Sequence, residues 1–266
     1  MEKRRTERGS RETPELNETM TMLLGHRSVR AYADKPVPDD ALNQILDAVQ
    51  AAPNWVNLQH VSVIVVRDPL RRARFAELCG GQRHVAEAPA FLVFCGDFYR
   101  TKLAFDARGQ EFAGIADQLD NLIVVANETG IALEAVVVAA ESMGLGTVPI
   151  GDVCMHALET VRELGLPKHV VPLLGLCIGY PAEDPQPKPR LPREAVRFEE
   201  RYDPDLAEQL ERYDREYAAY LAARPQNSRS GTWTQLAADF YRPPYAHYPE
   251  VSAVLRQQGF FAPEYD

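Results

Sequence analysis

An imidazole, two guanidiniums and a hydroxyl crowd into the six residues Gly25-His26-Arg27-Ser28-Val29-Arg30, directly after the apolar Met22-Leu23-Leu24. Donors of this kind match the oxygens of a phosphate or a carboxylate. Arginine forks bind such groups bidentately, serine adds an oriented hydroxyl, and glycine lets the backbone come close. Taken alone, the stretch predicts an anion pocket or a solvated basic turn equally well. Lys188 and Arg190 add two cations on a segment stiffened by Pro181, Pro185, Pro187, Pro189 and Pro192. That segment reads as a pre-organised strap or as a solvent-facing linker. A further group is neutral: Asn54, Asn57 and Gln59 surround the indole of Trp55, and Gln82 follows Gly80-Gly81 as a ligand amide or a capping amide. Arg224 and Arg229 stand in a polar loop near the C-terminus.

The elements that must position these groups are legible from periodicity. Leu42, Ile45, Leu46 and Val49 form one apolar helical stripe, with Asp39 or Asp40 as its cap and Pro53-Asn54 as its stop. Trp55 to Gln59 then forms a loop at the mouth of a strand over 61–66, whose β-branched run predicts burial on both faces. Asp68-Pro69 opens a helix that ends at Gly80-Gly81; a short helix over 83–87 and a second strand over 91–95 follow. From about Asp117 to Met143 the chain reads as one helix, apolar on nearly every side, with Gly130 as a break or kink and Gly144 and Gly146 marking its end. Such a helix is the spine of the core or of a subunit interface. Thr147 to Asp152 is a short extended piece, followed by a helix over 156–164 and a third buried strand over 170–178. One amphipathic helix over 205–223 and two short helical pieces, 233–241 and 250–258, complete the chain. Gly144-x-Gly146 is not a dinucleotide fingerprint, because it follows a helix and lacks the third glycine.

With 266 residues, 45% of them hydrophobic, the chain can bury a full core as one large domain. A formal net charge of -9 disfavours general nucleic-acid binding, so any anion site must be local. Cys79, Cys95, Cys154 and Cys177 are scattered and read as buried thiols of a reducing compartment, which points to the cytoplasm. Residues 1–18 are charged and polar and read as a disordered tail rather than a signal peptide, leaving 19–266 as the folded unit. Glu134 and Glu141 interrupt the long apolar run, which argues against a membrane span. There is no G-x-S-x-G elbow, no H-E-x-x-H, no P-loop lysine and no close His/Cys metal spacing. No side chain is therefore assigned as catalytic and no metal is expected. An anion pocket without a nucleophile suits a protein whose bound cofactor carries the chemistry.

Five segments, in order, carry a family likeness: Gly25-His-Arg-Ser-Val-Arg30, Gly80-Gly-Gln-Arg-His-Val-Ala86, Ala140-Glu-Ser-Met-Gly-Leu-Gly146, Leu173-Leu-Gly-Leu-Cys-Ile-Gly179 and Lys188-Pro-Arg-Leu-Pro192. Together they resemble the NADPH-preferring, group A FMN nitroreductases and flavin reductases. The resemblance implies an α+β fold, a three-layer sandwich in which a mostly antiparallel sheet is flanked by helices, assembled as an intertwined homodimer with FMN at the interface. It implies that His26, Arg27 and Ser28 hold the FMN phosphate together with Arg190, while Arg30 and Lys188 lie toward the ribityl chain and the pyrimidine edge. Asn54, Trp55 and Asn57 would face the flavin from the other subunit, and Gln82 would bond to the ring. The backbone around Ile150 and Gly151 would approach the hydride-accepting nitrogen, and Arg224 and Arg229 would grip the 2′-phosphate of NADPH.

The implied activity is ping-pong transfer of a hydride from NADPH, through bound FMN, to nitroaromatics, quinones or flavins. Two alternatives stand beside it: a flavin reductase supplying reduced FMN to a monooxygenase, and a low-turnover redox sensor. The chain departs from the family pattern at Pro149-Ile150-Gly151-Asp152, where an aromatic residue followed by Ile-Gly-Gly is common. One backbone donor is lost there and a carboxylate is gained. Trp55 and Asn57 replace small hydroxyl residues, so an indole narrows the substrate cleft or stacks on an aromatic acceptor.

Overall fold

The computed structural model describes residues 16–224, 228–242 and 248–261. Most of the expected tail, residues 1–15, lies outside them. The first helix, α1 (Glu18–Leu24), starts one residue inside the expected tail, because the Asn17 side chain accepts the Met20 N–H at 2.9 Å and caps it.

Among the described residues, four antiparallel strands form one sheet in the order β1-β2-β4-β3, with β1 Val61–Val66, β2 Ala90–Asp97, β3 Gly146–Ile150 and β4 Val170–Gly179. Strand β2 shows why three layers result. Leu92 and Phe94 point to a core shared with α2 (Asp39–Ala51) and the long α6 (Leu119–Ser142), through Leu42, Ile45 and Val136. Phe91, Val93 and Cys95 point the other way, to Phe75 of α3 (Pro69–Leu78) and Val85 of α4 (Arg83–Glu87). The period of two along a strand therefore fills both faces of the sheet. Strand β1 is only half-buried along most of its length, because it lies at the sheet edge; the expectation of burial on both faces fails there within the protomer.

The start of one helix and the whole of another correct the sequence reading. Neither Asp39 nor Asp40 caps α2; Pro38 holds the cap position, and both aspartates occupy the first turn, where the helix dipole favours them. Helix α5 (Tyr99–Ala107) was not legible at all. Helix α6 runs unbroken through Gly130 and stops at Gly144, whose positive φ of 75° only glycine adopts freely. By length and composition α6 is apolar enough to cross a membrane. Here Val125, Ala132, Val136 and Ala140 are buried within the protein, which makes it a core helix.

Helix α7 (Ala157–Leu164) packs through Ala157 and Val161 against Val254 of α10 (Val251–Gln257). Helix α8 (Ala207–Ala223) holds the proline-rich strap: the buried Tyr213 donates its hydroxyl to the Pro189 carbonyl at 2.9 Å. Helix α9 (Trp233–Phe240) is tied to α8 by Asp214, which accepts the Thr234 N–H at 2.9 Å.

Candidate functional site

The turn Gly25 to Arg30 is seated at the edge of the sheet. The Val29 N–H donates to the Thr147 carbonyl at 2.9 Å, and Ser28 bridges Thr147 in parallel. This approach requires Gly146: a Cβ there would lie 2.8 Å from the Val29 side chain. The glycine pair that looked like a failed nucleotide motif thus has two structural tasks, ending α6 and seating the basic turn.

The donors of the turn meet carboxylates of the same chain. His26 Nδ1 lies 2.7 Å from Glu141 Oε1, which also accepts the Thr147 hydroxyl at 2.9 Å. Arg27 Nη1 donates to Asp184 at 2.8 Å. Glu183 accepts the backbone N–H groups of Arg30 and Ala31 at 2.5 and 3.0 Å. None of these partners was foreseen, and only Glu141 left a trace, as a carboxylate inside an otherwise apolar helix.

A second set of cations carries no such compensation. Among the described residues, the side chains of Arg30, Lys188 and Arg190 make no hydrogen bond or ion pair, and Arg27 Nε is buried without a partner. The Lys188 ammonium is held below the ordinary lysine pKa, first by desolvation and then by Arg30, Arg190 and Arg224. The structure therefore brings Arg224 to the strap cations. Arg229 is exposed, its backbone N–H donating to the Leu221 carbonyl at 3.3 Å. His84 sits against the same charge: burial, then Arg30, lowers its pKa, and its Nε2 is buried without a partner. Buried, unsatisfied donors beside unpaired cations fit a polyanionic ligand.

At the C-terminal end of β3, Asp152 accepts the Gln82 amide at 2.6 Å and the Tyr248 hydroxyl at 3.2 Å. Tyr248 lies so close to Gly151 that a Cβ there would be 2.7 Å from its hydroxyl oxygen. Pro149 is exposed and pairs with Leu176 in the ladder, while Ile150 is buried. The Asp152 carboxylate also reaches two thiols: burial first, then Asp152, pushes Cys79 up to about 12 and Cys154 up to about 11. Burial is the main cause of the raised pKa at Cys95 and Cys177 too.

Asn54, Trp55 and Asn57 form a separate feature. Their loop lines a cleft of about 660 Å³ that shares no lining residue with the cation cluster. Glu128 of α6 pins it: Oε1 accepts the Trp55 N–H at 2.8 Å and Oε2 the His60 N–H at 3.1 Å, with the buried His60 ring 3.3 Å away. Asn54 Oδ1 accepts the Gln59 N–H at 3.2 Å, and Arg100 donates to the Val61 carbonyl at 2.9 Å. These ties hold Val56, Asn57 and Gln59 at positive φ of 42°, 61° and 55°, a strained conformation for a β-branched valine. Trp55 and Val56 remain 51% and 70% exposed, an apolar surface on a clamped loop.

Comparison with known proteins identifies the family. The nitroreductase family model matches residues 23–180, and the model of the nitroreductase family C-terminal domain matches residues 188–262. The chain is 42% identical over 247 residues to an FMN reductase [NAD(P)H] of Bacillus subtilis, covering 92% of this chain and 98% of that protein. It is 41% identical over 221 residues to an oxygen-insensitive NADPH nitroreductase of Salmonella typhimurium, covering 82% and 89%. The solved structure of B. megaterium NfrA2 superposes with a TM-score of 0.89 at 40% identity, covering 92% and 98%. With two family models spanning most of its length and near full-length relatives above 40% identity, the chain belongs to the nitroreductase family.

Proposed function

We propose that this protein is an NADPH-dependent FMN oxidoreductase that delivers electrons to nitroaromatics, quinones or flavins. The observation that carries the reading is the set of unpaired cations Arg30, Lys188 and Arg190, with Arg30 two residues beyond the His26-Arg27-Ser28 run in the sequence. Relatives named FMN reductase and NADPH nitroreductase support it. When bound, FMN supplies the two-electron chemistry that no side chain here offers.

The chain's own contribution is binding and electrostatics. His26, Arg27, Ser28 and Arg190 hold the phosphate, and Arg30 and Lys188 place positive charge where negative charge develops on reduction. Gln82, Gly151 and Asp152 form the wall at the end of β3, next to Pro149 and Ile150. Arg224 and Arg229 favour NADPH over NADH by gripping its extra phosphate. We read residues 19–266 as one unit that acts as a homodimer. Exposed apolar residues support this: Leu119, Ile123 and Ile131 on α6, with Trp55 and Val56 on the loop, which would complete the partner's cleft. Four free thiols support a reducing, cytoplasmic setting.

A second reading, exchange of flavin as a substrate, is favoured by Asp184. Its carboxylate already occupies Arg27, so a phosphate entering the site must share or displace it.

Anaerobic titration of purified protein with NADPH, followed in the visible absorbance of bound flavin, tests the main reading. Bleaching at one NADPH per FMN, faster than with NADH, is expected. A protein that stays colourless after incubation with FMN would overturn it. Release of reduced FMN during turnover separates the flavin-exchange reading.

A further inference from the structure

We propose that Asp152 is a positioning residue that fixes the Gln82 amide against the flavin ring and adds a negative charge opposing the strap cations. The inference rests on the flavin reading above. Its basis is the geometry at the end of β3. Gln82 follows Gly80 and Gly81, both at positive φ, and its backbone is fixed as the N-cap of α4, its N–H donating to the Ala76 carbonyl at 3.2 Å and its carbonyl accepting the Val85 N–H at 2.9 Å, but its side chain makes no cap hydrogen bond and takes no restraint from that helix. The restraint comes from across the fold: Nε2 of Gln82 donates to Oδ2 of Asp152 at 2.6 Å, and the other carboxylate oxygen accepts the Tyr248 hydroxyl at 3.2 Å.

A carboxylate accepts and does not donate, so the amide is locked with its nitrogen toward Asp152. The carbonyl oxygen of Gln82 becomes the acceptor left for a ligand N–H or O–H. Asp152 directly follows Gly151, whose Cα is covered by the Tyr248 hydroxyl, so the carboxylate, the amide and the glycine backbone form one rigid wall.

The charge has its own effect. Reduction makes a flavin more negative, and Arg30, Lys188 and Arg190 stabilise that charge; a carboxylate in the wall that bears Gln82 works against it. Asp152 already raises the pKa values of Cys79 and Cys154, so its field reaches neighbouring groups. Where a second glycine would leave the wall neutral, this chain lowers the tendency of its flavin to accept electrons and makes the reduced form a stronger donor.

The test uses full-length protein stripped of flavin and titrated with FMN, as the parent, Asp152→Asn, Asp152→Ala, Gln82→Ala and the Asp152→Ala/Gln82→Ala double variant. Asparagine keeps an acceptor for the Gln82 amide without the charge. Asp152→Ala and Gln82→Ala are each expected to raise the Kd for FMN roughly tenfold, the size of one hydrogen bond to a charged group, and the double variant to lose no more than the larger single loss. Asp152→Asn is expected to keep the parent Kd while shifting the midpoint potential of the bound flavin upward. Losses that multiply in the double variant, or an unchanged potential in Asp152→Asn, would overturn the proposal. Failure of the parent itself to take up FMN would overturn the flavin reading as well, which separates the two.

Discussion

Oε1 of Glu141 sits 2.7 Å from Nδ1 of His26, joining the C-terminal end of α6 to the cation-rich turn. The same oxygen takes the Thr147 hydroxyl, so helix, strand and turn meet at one atom. With Nδ1–H committed to a carboxylate, Nε2 is the ring nitrogen left for a ligand. Removing the carboxylate in Glu141→Ala frees the ring to rotate. FMN affinity should fall about threefold to tenfold, near 1 kcal/mol, by titration of flavin-free protein.

Glu128 is 4% exposed and His60 2%, yet the Glu128 carboxylate holds both ends of the loop that carries Trp55. Glu128→Ala leaves two backbone N–H groups and a buried imidazole without their acceptor. The expected loss is about 3 to 5 kcal/mol in urea unfolding, and Glu128→Gln, which keeps one acceptor oxygen, should lose less.

Gly146 allows Val29 to lie against the sheet edge, where any Cβ at position 146 would come within 2.8 Å of the valine side chain. Gly146→Ala should cost about 1 to 3 kcal/mol through overpacking. Val29→Ala placed in that background should restore part of the loss, because it removes the colliding methyl groups; unfolding midpoints of the single and double variants check this.

Arg229 is exposed on the loop that follows α8, whereas Arg224 sits among the strap cations. Arg229→Ala should raise KM for NADPH far more than for NADH, leaving FMN affinity near the parent. Arg224→Ala should change both NADPH and FMN binding. Equal effects of Arg229→Ala on the two nicotinamide cofactors would remove the phosphate-grip assignment.

Desolvation and three neighbouring guanidiniums lower the Lys188 pKa, so its ammonium gives up a proton at lower pH than an ordinary lysine. FMN affinity should therefore decline earlier on the alkaline side than a free lysine would predict. Lys188→Arg, always charged, should flatten that decline. The sign for folding is opposite to that of a favourable ion pair: with the folded pKa depressed, the charged form costs stability at lower pH, and the cost fades as pH rises through the folded pKa. Titrations and unfolding curves across the neutral to alkaline range measure both trends.

Local order was legible in the sequence and long-range pairing was not. The stripe Leu42, Ile45, Leu46, Val49 found α2, and the apolar runs found β1, β2 and β4, because burial writes its period into neighbouring residues. Helix α5 escaped because its few apolar residues, such as Leu103 and Phe105, form no strong stripe and its cap, Phe98, gives no side-chain signal. At the site, residue type announced the donors His26, Arg27 and Arg30. The acceptors of the His26 and Arg27 side chains lie 115 and 157 residues away, and the carboxylate that takes the Arg30 backbone N–H lies 153 away; no spacing rule connects such pairs. Asp152 and Gln82 were each noticed, one as a departure and one as a ligand, but the bond between them depends on how α4 and β3 dock.

The four thiols give the scaffold a chemical durability suited to its work. Nucleophilic attack on an oxidant requires thiolate, and burial keeps Cys79, Cys95, Cys154 and Cys177 in the protonated form at neutral pH. An electron-donating protein meets oxidising acceptors at every turnover. With three of its four sulfur atoms buried, Cys154 half-buried, and all four thiols held toward the protonated form, this one presents little thiolate to those acceptors.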